Sequence, residues 1–99
     1  MLTGKQKRQL RSLAHHLTPI FQIGKSGITD EMVLGIEDAL EKRELLKISI
    51  LQNCEEDKKF LANSIAKKTK AHLVQLIGHT IVLYKQSSKI KNRKIELVK

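Results

Sequence analysis

The sequence predicts an α/β (α+β) domain of element order α-β-α-β-α-β-β, with a mixed four-stranded sheet packed by helices. Three observations predict it. Apolar residues recur at helical spacing in three stretches, with short apolar or alternating runs between them. Two further runs flank Gly78-His79 as the strands of a hairpin would. Strands separated by helices favour parallel crossovers, whereas a hairpin is antiparallel, so the sheet must be mixed. The 99 residues suffice for one core, and 40% of them are apolar. With Phe21, Phe60 and Tyr84 the only aromatic residues, that core must be aliphatic.

Each element has a local cause. Thr3 and Gln6 have the spacing of a capping box, and Leu10, Leu13, Ala14 and Leu17 follow as one apolar stripe. The helix should stop near His16, because Pro19 restricts Thr18 to extended geometry. Residues 19–23 form the first strand. Thr29 or Asp30 caps a second helix with Met32, Val33, Ile36, Ala39 and Leu40 inward and Glu37, Asp38, Glu41 and Lys42 on its wet face. Residues 45–51 alternate as a half-buried strand. Asn53 with Glu56 suggests the cap of a third helix, with Phe60, Leu61, Ser64 and Ile65 inward and Lys67, Lys68 and Lys70 at its C-terminal end. Residues 72–77 and 80–84 are the hairpin strands. The domain spans 1–85, and 86–99 form a basic C-terminal tail expected to be mobile, with at most a short extended segment.

The net charge of +9 sits at the two ends of the chain. Lys5, Lys7, Arg8 and Arg11 stand unopposed in residues 1–23, residues 24–70 are neutral, and residues 71–99 carry a further +5. Basic ends of this kind attract a polyanion, and nucleic acid is the expected partner. One cysteine, Cys54, rules out an internal disulfide and any cysteine-rich zinc site. His15, His16, His72 and His79 are scattered, and the pair 15–16 is expected to point to different helix faces, so neither a metal site nor a cofactor is expected. No apolar run of signal-peptide or membrane-spanning length is present, and the expected location is the reducing cytoplasm.

Gly24-Lys25-Ser26-Gly27 lies between a strand and a helix N-terminus. Two glycines let a backbone turn tightly and approach a ligand, nearby amides and the helix dipole favour an anion, and Lys25 and Ser26 add a cation and a hydroxyl. A phosphodiester matches these features, as in KH domains, whose Gly-x-x-Gly loop clamps a nucleic-acid backbone. A Walker A loop would need a glycine where Pro19 stands, so a nucleotide-hydrolysing site is rejected. Sparse aromatics argue against base stacking on a sheet, for which Tyr84 is the sole candidate. Clustered carboxylates and nucleophile–base pairs are missing from the pattern, so neither an enzyme nor a small-molecule substrate is expected.

Three stretches taken together resemble the CRM domain in its stand-alone bacterial form, the YhbY family. They are Leu13-Ala14-His15-His16-Leu17 with Pro19; Ile23 to Thr29 followed by Ile36, Ala39, Leu40, Glu44, Leu45 and Lys47; and Gln75 to Tyr84. The resemblance implies an RNA-binding domain with a fold similar to the C-terminal domain of translation initiation factor 3. It implies association with the precursor of the large ribosomal subunit, whose rRNA would be the partner, and a part in its assembly. The family loop maps onto Gly24, Lys25, Ser26 and Gly27. His79 and Lys85 stand where members often carry a basic residue after the hairpin glycine and an Arg after the Tyr, so both are candidate RNA contacts. A monomer with no membrane partner is expected. The alternative is a protein-interaction module that docks on a ribosomal protein or acidic factor.

Overall fold

A computed structural model describes residues 2–99, with the element order α1 (Gly4–Ala14), β1 (Phe21–Ile23), α2 (Asp30–Arg43), β2 (Leu45–Ile50), α3 (Lys58–Thr69), β3 (His72–Ile77) and β4 (Thr80–Tyr84), followed by a 3₁₀ turn at Ile90–Asn92. The four strands make one sheet in the order β1-β2-β4-β3. β1 pairs parallel with β2 and the other pairings are antiparallel, the mixed sheet that the pattern of elements predicts. Among the described residues, no helix is long and apolar enough to cross a membrane.

The two central strands are covered on both sides, and their side chains alternate between two cores. Leu46, Ile48 and Ile50 of β2 and Ile81 and Leu83 of β4 pack with Ile36 and Leu40 of α2 and with Leu61, Ala62 and Ile65 of α3. On the opposite face Leu45, Val82 and Tyr84 meet Leu10 and Ala14 of α1, with Leu2, Ile95 and Leu97 around them. The result is three layers: α1, the sheet, then α2 with α3.

Local signals explain most boundaries. Thr3 Oγ1 accepts the Gln6 N–H at 3.1 Å while Gln6 Oε1 accepts the Thr3 N–H at 3.0 Å, a complete capping box. Thr29, rather than Asp30, caps α2. The cap of α3 is Asp57, whose carboxylate accepts the Phe60 N–H at 2.9 Å, and not Asn53. Its inward stripe is Leu61, Ala62, Ile65, Ala66 and Thr69, and Phe60 is turned out to 60% exposure. On α1 only Leu10 and Ala14 are buried; Leu13 is 46% exposed and, with Leu17, borders a shallow hollow beside Leu45 and Ile95. One helix lying across a sheet buries a stripe narrower than the apolar set of α1.

The C-terminal segment departs most from expectation. It is not a free tail. The buried carboxylate of Glu44 accepts the backbone N–H groups of Ser87 at 2.9 Å, Lys94 at 2.8 Å and Ile95 at 3.2 Å. Gln9 both donates to Glu96 O and accepts the Val98 N–H, and Gln6 donates to Val98 O. Ser88 donates through its amide and hydroxyl to Glu41, which holds that carboxyl below its ordinary range. Glu41 is therefore a tail anchor rather than a simple wet-face charge. Polar bonds to α1 and α2, together with the packing of Ile95 and Leu97 on the second core, secure the segment, and the apolar residues alone are too few to reveal it.

Candidate nucleic-acid interface

Register places the loops. Ile23 pairs with Ile50, Ser49 with Thr80, and Ile77 with Thr80, so the 24–27 loop, the start of the β2–α3 loop and the Gly78-His79 turn share one end of the sheet. His79 O accepts the Ile50 N–H at 2.7 Å, and Ile23 O accepts the Leu51 N–H at 2.8 Å. Lys85 lies at the opposite end, where its N–H donates to Glu44 O and its ammonium faces Glu41. The structure thus groups Gly24, Lys25, Ser26, Gly27 and His79 and leaves Lys85 apart from them.

Within the loop the two glycines differ. Gly27 has φ +68° and is buried, and a Cβ there would stand 2.9 Å from the Glu56 carboxylate. A Cβ on Gly24 would meet only Leu51 Cδ1 at 3.5 Å and Asn53 Oδ1 at 3.6 Å, ordinary contacts. The Gly27 N–H already donates to Gly24 O at 3.0 Å, which closes the turn and removes that amide from ligand binding. Asp30 and Glu31 in the first turn of α2, with Glu56 behind Gly27, offset the pull of the helix N-terminus on an anion. Anion attraction at this loop rests on the exposed Lys25, with the exposed Ser26 hydroxyl as a neutral donor.

A second concentration of charge lies on the α1 side of the sheet. Arg8, Arg11, Ser12 and His15 follow at three- and four-residue spacing and so share one side of the helix. They line a groove of about 600 Å³ together with His16 and, across it, Lys47, Gln75, Ile77 and Val82. α1 ends at Ala14, so His15 is its cap and His16 follows in the turn. Their rings meet edge to face at 5.3 Å, and both line the groove instead of diverging. Lys5 lies round the helix with Arg8 and Val98, and Lys7 is close enough to His72 to help lower its pKa, after burial as the main cause. The four cations predicted together on α1 thus split three ways.

The match to the CRS1/YhbY (CRM) domain covers residues 2–85. The chain belongs to the CRM domain family. It is 62% identical over 97 residues, 98% of this chain and 99% of the relative, to a Bacillus subtilis protein named probable RNA-binding protein YqeI. A Haemophilus influenzae protein named RNA-binding protein is 42% identical over 90 residues, 91% of each chain. The solution structure of a hypothetical protein from Staphylococcus aureus superposes with a TM-score of 0.78 at 53% identity, covering 97% of this chain and all of the other.

In this CRM domain the groove contains residues that motif reasoning passes over. Lys47 was visible as the polar member of an alternating strand, and its direction follows from the apolar residues beside it. Gln75 was not. β3 bulges at Val74, because Leu73 pairs with Leu83 and Gln75 with Val82. The extra residue puts Val74 and Gln75 on the same face, so Gln75 reaches the groove where regular alternation would turn it away.

Proposed function

We propose that this CRM domain is a non-enzymatic RNA-binding protein of the cytoplasm that associates, as a monomer, with the precursor of the large ribosomal subunit and acts in its assembly. The observation that carries RNA binding is the alignment of Arg8 and Arg11 on one side of α1 opposite Lys47, a cationic groove on the face of the sheet. Relatives named as RNA-binding proteins support the same partner. Lys25 at the loop and the α1 cations then grip phosphates, which positions the RNA without reading its sequence. The assembly role rests on the family resemblance.

Sucrose-gradient fractionation of cell extract at low salt tests the assembly role. The protein is expected with large-subunit precursors more than with mature ribosomes. Recovery in the free fractions alone would overturn it. The docking alternative instead calls for stable binding to a protein partner with RNA removed.

A further inference from the structure

We infer that the groove between α1 and the sheet seats one unpaired nucleotide and reads its base, with adenine the best match. The inference rests on the RNA-binding reading and adds sequence preference to it. Charge comes first. Arg8 and Arg11 on one wall and Lys47 on the other bracket the groove, enough cationic donors for a backbone phosphate at its rim. Size agrees. About 600 Å³ falls inside the range of roughly 300–1,000 Å³ typical of small-ligand sites, ample for a single nucleotide and too little for a duplex.

The floor of the groove suits a base. Between these cations lie Val82 and Ile77, and Ile77 is 59% exposed. A flat apolar ring laid on that floor would cover Ile77, and the imidazoles of His15 and His16 offer it an aromatic wall. Gln75 supplies the means of recognition. Its amide presents a donor beside an acceptor; an unpaired uracil, cytosine or guanine offers one Watson–Crick or Hoogsteen edge that matches it, whereas adenine offers two, N6 with N7 and N6 with N1. Gln75 stands in the groove only because of the bulge at Val74, and bulges are a common device for re-aiming a side chain at a binding site.

The test is equilibrium binding, by fluorescence anisotropy, of decauridine and of three relatives carrying one central A, C or G. The wild-type chain is expected to favour the A-containing oligonucleotide by about fivefold or more, the scale of one bidentate base contact. Gln75→Ala should level that preference, so that the A-containing oligonucleotide and decauridine bind the variant alike. Gln75→Glu, which keeps the shape but turns the amide donor into an acceptor, should shift the preference towards guanine, whose N1–H and N2–H₂ donate side by side in an unpaired base. Lys25→Ala should weaken all four oligonucleotides alike and keep the ranking. Thermal melting confirms that each variant is folded. Equal wild-type binding of all four, or a ranking that survives Gln75→Ala, overturns the base-reading groove and leaves RNA binding standing. Failure to bind any oligonucleotide at low salt overturns the RNA reading beneath it.

Discussion

Gly27 and Gly24 occupy equivalent places in the Gly-x-x-Gly pattern, yet only Gly27 is held by the fold. Its φ of +68° disfavours any side chain, whereas the exposed Glu56 carboxylate behind it is the end of a flexible side chain that can swing aside. Gly27→Ala is therefore expected to cost about 1 kcal/mol in denaturant unfolding, from backbone strain at the positive φ. Gly24→Ala should unfold within about 0.5 kcal/mol of the parent, as an ordinary surface change does. Equal losses would contradict this asymmetry. Gly24→Ala thus tests close approach of RNA free of a folding defect. The loop itself was legible in the sequence. Which glycine is obligatory was not, because that depends on the positive φ that the folded turn imposes on Gly27 and not on Gly24. His72 gives a second residue-scale expectation. Partial desolvation of this largely exposed ring beside Tyr84, helped by Lys7, lowers its pKa from the ordinary 6.5. The folded state then resists protonation more than the unfolded state does. Stability should be full above pH 6.5 and fall as pH drops through the folded pKa, a fall that His72→Gln removes. Glu41, held below 4.5 by Ser88, adds a separate loss at lower pH. Urea unfolding from pH 8 to 5 checks the histidine part, and a flat profile in the parent would contradict it.

Among the elements, helices with strong caps and wide apolar stripes were legible, and errors arose where a rival cap or a narrow stripe intervened. Asn53 and Asp57 both offer N-cap oxygens, and Asp57 is the one used, while packing through Leu61, Ala62 and Ile65 leaves Phe60 outward. The helix 1 stripe included Leu13, but its packing against the sheet extends only to Leu10 and Ala14. The β3 bulge leaves no mark in an apolar pattern, because Val74 and Gln75 look like ordinary neighbours in a strand. The C-terminal segment was hidden for a related reason: its attachment is a buried carboxylate that collects three backbone N–H groups. Glu44→Ala is expected to cost about 2–3 kcal/mol, the scale of leaving buried donors unpaired. Both residues carry a Cβ at φ +65°, so backbone strain cancels in that comparison. Amide hydrogen exchange should show weakened protection at Ser87 and Ile95 in the variant. Retained protection at both would show that Glu44 is not the anchor.

Across the whole molecule, the sequence pattern captured a mixed four-stranded sheet, but the insertion of β4 between β2 and β3 came from pairing that no local signal carries. The same gap affected the charges. In sequence the basic residues fall at two ends of the chain; in space Arg8 and Arg11 meet Lys47 from the neutral middle, while Lys85 sits at the far end of the sheet beside Glu41. RNA binding as proposed therefore depends on two cationic places, the Lys25 loop and the α1 groove, acting on one phosphate backbone. Equilibrium binding of single-stranded RNA over a series of salt concentrations tests that claim most directly. For the parent, log affinity should fall linearly with log salt, with a slope of about −0.7 per phosphate neutralised. Arg8→Ala/Arg11→Ala and Lys25→Ala should each weaken binding and make the slope shallower, by about 0.7 for every phosphate that the variant no longer neutralises. Parent affinity that does not change with salt, or folded variants that keep the parent slope, would contradict the two-place grip.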